Sequence, residues 1–197
     1  MRTTLRIGNE NTMLLFRGGT LLANVNWTLD KAHSDIGFSV RHMMISNVRG
    51  HFNEFEAAVT AQGNDLTSAK ISVTIDPTSI DTRNSDRDTH LRSADFFKVE
   101  EHPKITFEST HLVHKGDNEY VLEGNISIIG TTKQVALDCE IQGPAKDPWG
   151  NEKIGVVASG KINRADFGLI WNAALEAGGV LVGDTVKLDI EMQFAKS

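Results

Sequence analysis

The chain has 197 residues, with 20 Lys+Arg against 26 Asp+Glu, a net charge of −6 and a pI near 5.6. The length suits one domain with a real core, and the acidic balance withholds the attraction through which proteins find phosphate backbones, so nucleic acid is set aside as a partner. A single cysteine, Cys139, excludes an intrachain disulfide and any zinc site built on paired cysteines, and no apolar run reaches the roughly 18 residues of a transmembrane helix.

Residues 1–24 stand apart from the rest of the chain. Met13-Leu14-Leu15-Phe16 and Thr20-Leu21-Leu22-Ala23 are pieces of an apolar run, but Arg17, Gly18 and Gly19 interrupt it and Glu10 spoils a basic leader. A weakly structured extension or an early start is expected over 1–24, and a single domain over 25–197, free of repeats, low-complexity tracts and Pro-rich linkers.

From Asn26 onward the dominant period is two, the mark of half-buried strands. Ile36, Phe38 and Val40 show it first. Ile71, Val73 and Ile75 alternate next with Lys70, Ser72, Thr74 and Asp76. Residues 84–92 lack this alternation and open with capping residues, which predicts a short helix before Asp95-Phe96-Phe97. Ile105 and Phe107 then begin a run over 104–114 that Lys115-Gly116-Asp117-Asn118 joins to 119–129 as a hairpin. Gly130-Thr131-Thr132 leads into 133–146, where Val135, Leu137, Cys139 and Ile141 share one face. Asp147-Pro148-Trp149-Gly150-Asn151 turns the chain into 152–164. Residues 165–184 form a long connection, of a length that is usually functional or mobile. Val186, Leu188, Ile190, Met192 and Phe194 close the chain with one wholly apolar face. Tandem hairpins of this kind predict a meander of about eight strands, which either closes into a barrel or stacks as a sandwich.

Candidate chemistry is sparse. His33, His42, His51, His90 and His102 lie near the loops, but they show no helical metal-ligand spacing and no cysteine partner, so hydrogen bonding at strand ends is favoured over a metal site. Arg87-Asp88-Thr89-His90 places a cation, an acid and a base within one helical turn. No nucleophile accompanies them: there is no GxSxG elbow, and Cys139 sits in mid-strand, so a network of salt bridges and caps explains the cluster as well as a hydrolase site does. No phosphate-binding GxxxxGK[ST] or GxGxxG loop occurs. There remains the apolar face itself, with Phe38, Val40, Ile71, Val73, Ile75, Ile105, Phe107, Leu137, Val156 and Leu188. An eight-stranded barrel is either packed solid or able to hold one ligand, and strands of about 11 residues, roughly 36 Å long, would make its interior a tube suited to a hydrocarbon chain. Alternation is the same in both cases.

Eight segments in order resemble a known family across residues 26–195. They are Trp27-Thr28-Leu29-Asp30-Lys31-Ala32-His33-Ser34, Ile36-Gly37-Phe38-Ser39-Val40-Arg41-His42, Val48-Arg49-Gly50-His51-Phe52, Ile80-Asp81-Thr82, the run Arg87 to Phe97, Pro103-Lys104-Ile105-Thr106-Phe107-Glu108-Ser109-Thr110, the run Gly124 to Lys133, and Ile162-Asn163-Arg164-Ala165-Asp166-Phe167-Gly168-Leu169. Together they resemble the YceI-like, polyisoprenoid-binding proteins. The resemblance implies an all-β fold, an extended eight-stranded antiparallel up-and-down β-barrel of lipocalin-like form with one short helix, often a homodimer. Its apolar pore would take a polyisoprenoid, an isoprenoid quinone or a similar amphiphile, with no other cofactor. Phe38, Val40, Phe52, Phe96, Phe97, Ile105, Phe107, Ile126, Ile128 and Phe167 would contact the chain of that lipid. Arg87, Asp88 and His90 would stand near the mouth, ordering the loop or meeting a head group, and Asp88 and Arg164 would equally serve a structural network. Many relatives carry an export signal. None is defensible here, so a cytoplasmic location is preferred to a periplasmic one. The leading expectation is a non-enzymatic protein that binds, stores or transports a long-chain lipid. An alternative is an enzyme or electron-transfer accessory acting on a bound quinone, with His90, Asp88 and Arg87 in proton transfer. A third is a packed barrel serving a protein partner.

Overall fold

The structure, a computed structural model, describes residues 23–63, 65–176 and 178–197; of the expected N-terminal extension, residues 1–22 lie outside these. Strands form where the sequence alternates with a period of two. They are β1 (Asn24–Leu29), β2 (Asp35–His42), β3 (Ser46–Phe52), β4 (Phe55–Gln62), β5 (Asp65–Ile75), β6 (Ile80–Asp81), β7 (Ile105–Gly116), β8 (Glu119–Ile128), β9 (Thr131–Lys146), β10 (Glu152–Asn163) and β11 (Val182–Lys196). The single α-helix among the described residues, α1, covers Ser85–Arg92. Asn84 caps it, its side-chain oxygen accepting from the Arg87 amide at 2.9 Å.

Antiparallel pairing runs β1-β4-β5-β7-β8-β9-β10-β11 and closes where β11 returns to β1, so eight strands make a ring without an edge. This is a closed barrel and not a sandwich. The remaining pairings explain the count. The end of β11 pairs with β1 at Trp27, Thr28 and Leu29, and its first two-thirds pairs with β2 from His42 to Asp35. Thus β1 and β2 are one wall strand broken by a 3-10 turn at Lys31–His33, and β3 and β4 are another, broken at Asn53-Glu54. Taken as wall strands, neighbours in sequence are neighbours in space, which is up-and-down topology.

The first break is pinned. Asp30 accepts from Lys153 Nζ at 3.0 Å and from Gln193 Nε2 at 3.2 Å, while the Gln193 amide donates to Ser34 Oγ at 3.0 Å. The carboxyl of Asp30 is held below its usual range, first by the Lys153 hydrogen bond and then by that of His33. At one end of the barrel lie the β2–β3 turn, the β8–β9 turn, the β10–β11 connection and the β5–β7 insertion that carries β6 and α1. The far end carries the β4–β5, β7–β8 and β9–β10 turns. Ile129 and Gly130, with φ of 41° and 78°, make the two-residue link from β8 to β9; Gly130 suits its left-handed position, whereas β-branched Ile129 is strained in its own.

Candidate functional site

Inward-facing residues of β2 to β11, together with Leu91 of α1, Phe96, Phe97 and Leu169, line a cavity of about 210 Å³ that runs along the barrel and opens to solvent. Its wall is aliphatic and aromatic. Among the described residues the ionisable side chains that contribute are Cys139 and Arg164. Burial pushes the Cys139 thiol up to about 11, so it stays a thiol. Arg164 is 4% exposed, and its donors are already occupied. Nε donates to the Gly183 carbonyl at 3.0 Å, Nη1 to the carbonyls of Trp171 at 2.9 Å and Leu169, and Nη2 meets Asp184 at 3.4 Å. Desolvation pulls its pKa down and Asp184 opposes that pull. Arg164 is therefore a pin that folds the β10–β11 connection onto the barrel end.

Of the residues singled out in the sequence, Phe38, Val40, Phe52, Phe96, Phe97, Ile105, Phe107, Ile126 and Ile128 line this cavity. Phe167 is not among its lining residues: it is 2% exposed in the core, in the 3-10 turn Arg164–Phe167 that leaves β10. Arg87, Asp88 and His90 do not line it either. Asp88 is buried and accepts from the Thr82 amide at 2.9 Å and from the Thr82 hydroxyl, and Arg87 donates to Thr82 Oγ1 and to the Thr82 carbonyl, each at 2.7 Å. His90 meets Asp95 at 2.8 Å, and its ring stands edge-on to Trp171 and Phe96 at 4.6 and 5.1 Å. Arg92 donates to the carbonyls of Thr78 and Ile80. The polar motif thus builds the insertion at the helix end, where the rings of Trp171, His90 and Phe96 pack against one another. Among the described residues no group of three or more His, Cys, Asp and Glu side chains could hold a metal ion. Leu91, Leu169 and Arg164 joined the cavity without a sequence signal for it, because a helix turn and a loop carry no period of two.

The geometry defines a class: a closed antiparallel barrel whose hollow interior is apolar. Residues 27–194 match the YceI-like domain, and the chain belongs to the YceI-like family. A UPF0312 protein of Staphylococcus epidermidis is 42% identical over 170 residues, covering 86% of this chain and 96% of that protein. The crystal structure of the Campylobacter jejuni YCEI protein is similar at a TM-score of 0.70 and 36% identity, over 86% of this chain and 97% of that one. A polyisoprenoid binding domain from Saccharophagus degradans, described as implicated in plant cell wall breakdown, shares the fold at a TM-score of 0.64 and 14% identity, over 87% of this chain and 98% of that one.

Proposed function

We propose that this protein binds the hydrocarbon part of a long-chain lipid of the polyisoprenoid class inside the barrel, and stores or carries it without chemical change. The observation that carries this reading is the apolar cavity along the barrel interior, where a chain gains roughly 25 cal/mol per Å² of buried surface and meets no free polar group. The polyisoprenoid binding domain with the same fold supports the choice of ligand class. Size sets a condition. At about 210 Å³ the cavity exceeds the ~150 Å³ apolar void that accepts benzene and falls below the ~300–1,000 Å³ of drug-sized pockets. One chain segment fits as the wall stands, and a longer chain requires wall side chains to swing aside. An isoprenoid quinone tail and a prenyl alcohol are equivalent to such a wall, since neither head group meets it.

The test is native mass spectrometry of gently purified protein, followed by solvent extraction of what is released. A stoichiometric long-chain isoprenoid is expected. A clean ligand-free mass that also ignores added prenyl lipid overturns the proposal in favour of a barrel serving a protein partner.

A further inference from the structure

The β2–β3 turn departs from what local physics favours. It is closed by the Ile45 amide donating to the His42 carbonyl at 3.1 Å, and its central residues Met43 and Met44 have φ of 51° and 62°. Left-handed positions in such turns favour Asn and Gly, and side chains like Met are strained there. These side chains are also exposed: Met43 at 41%, Met44 at 58% and Ile45 at 77%. The Met43 amide donates to the Leu181 carbonyl at 2.8 Å, which brings exposed Val180 beside the tip. Strain and apolar exposure at one tip point to a contact that repays both.

Behind the tip lies a row of positive charge. Register makes Lys161 of β10, Lys187 of β11, Ser39 of β2 and Arg49 of β3 successive cross-strand neighbours, about 14 Å across three strand spacings. Lys161, Lys187 and Arg49 are exposed and in none of the salt bridges among the described residues, and Arg41, one step nearer the tip, donates only to the Met44 carbonyl. Lys161 directly opposite Lys187 is itself unfavourable for the sheet. On a chain of net charge −6 this row is a local concentration of positive charge; the exposed acids around it are Asp189, two residues from Lys187 on the same face of β11, then Asp184, Asp166 and Glu176 toward the connection, with Asp86, Asp95, Glu100 and Glu101 on the β5–β7 insertion at the same end. Ser39 precedes Met43 by four residues, roughly 13 Å along the strand and about 10 Å along an axis tilted by ~40°. That offset matches an apolar tip sunk ~5–10 Å into a bilayer with cations at the phosphates.

We propose that this end of the barrel docks on an anionic lipid surface, with Met43, Met44 and Ile45 inserted and Arg41, Arg49, Lys161 and Lys187 against the head groups. The inference stands on the rim alone and is tested with the cavity empty or filled, so its outcome is separate from that of lipid binding inside. The test is co-sedimentation of the full chain with vesicles of phosphatidylcholine, and of phosphatidylcholine containing one-third phosphatidylglycerol. Binding is expected to the anionic vesicles alone and to weaken as salt is raised. Lys161→Gln and Lys187→Gln should each weaken it roughly fivefold, the equivalent of ~1 kcal/mol per cation near such a surface. The variant Met43→Asn/Met44→Gly/Ile45→Thr suits the turn better, so it should unfold at a temperature no lower than the parent and yet lose vesicle binding. Absence of parent binding to anionic vesicles, or equal binding by the turn variant, overturns the proposal. So does a dimer in sedimentation velocity that the turn variant dissociates while vesicles are ignored, since the tip would then join two copies of this chain.

Discussion

Ala158 gives the most direct handle on the cavity. It is 3% exposed on β10, lines the lumen, and faces Cys139 of β9 and Ile190 of β11 across its two ladders. A dry apolar void destabilises a fold by about 24 cal/mol per Å³, so about 210 Å³ in a cavity that opens to solvent costs the ligand-free barrel at most about 5 kcal/mol. A lipid that fills it returns up to that amount, and at about 2–4 °C per kcal/mol for a chain of this size the parent should gain at most about 10–20 °C on loading. Ala158→Phe inserts a ring into the same space. If the ring takes half the void it recovers at most about 2.5 kcal/mol, against ~1–3 kcal/mol of overpacking strain, so the ligand-free variant should unfold within a few degrees of the ligand-free parent. Its gain on loading should fall below half. The assay is thermal unfolding of delipidated protein with and without a prenyl alcohol, alongside mass-spectrometric occupancy. Equal occupancy and an equal rise in Tm for the folded variant would refute the reasoning, because the ligand would then lie elsewhere.

The polar groups carry further consequences. Asp88→Ala strands the Thr82 amide and hydroxyl in a buried place and should cost about 1–3 kcal/mol in chemical denaturation, with Asp88→Asn costing less; an Ala variant as stable as the parent would remove Asp88 from the scaffold. Asp30 titrates below its usual value of 3.8 when folded, so its contribution is complete above that pH and is lost as pH falls through the lower folded value. Lys153→Met should accordingly flatten the acid limb of the Tm–pH curve, and parallel curves would show that the Lys153 contact does not shape it. The thiol of Cys139, held up to about 11 by burial, should resist a polar disulfide reagent at pH 8 until denaturant opens the barrel; stoichiometric labelling of native protein would contradict that.

Much of this architecture is written in local pattern. Lys115-Gly116-Asp117-Asn118 and Asp147-Pro148-Trp149-Gly150-Asn151 mark their hairpins because each supplies the residues such turns require, and Asp147 goes on to accept from the Trp149 and Asn151 amides, each at 2.9 Å. The helix expected over 84–92 is Ser85–Arg92 with Asn84 as its cap, since a cap is a local event. Parity along a strand likewise carries Phe38, Val40, Ile105 and Phe107 to the inner face. Parity has no hold on Phe167, which lies past the end of β10, where a 3-10 turn sends it into the core beside the cavity and not onto its wall. Nor does any pattern announce that β1 and β2 are one wall strand, or that Arg164 gathers carbonyls from residues 169, 171 and 183, because those are long-range or irregular contacts. The Met43-Met44 tip escapes a turn reading for the opposite reason: it lacks the Asn-Gly signal that its geometry favours.

What the alternation leaves open, a solid interior or a hollow one, is decided by where side chains are missing. A barrel of eight strands is small enough to be packed full. Here Gly50, Gly124 and Gly160 take inward positions, and a Cβ at Gly50 would stand 2.5 Å from the Phe38 ring, while those at Gly124 and Gly160 would collide with Phe107 and Leu137. Each glycine lets a large neighbour lie back against the wall. The rings thus spend their bulk on the wall and leave the axis free, with Ala69 and Ala158 adding two more short positions to the lining. Glycine in a strand interior weakens the strand by forfeiting packing and chain entropy. With those side chains laid over them, the glycines admit no Cβ, so the free space stays on the axis, and a guest of the class proposed would return the stability that the hollow withholds.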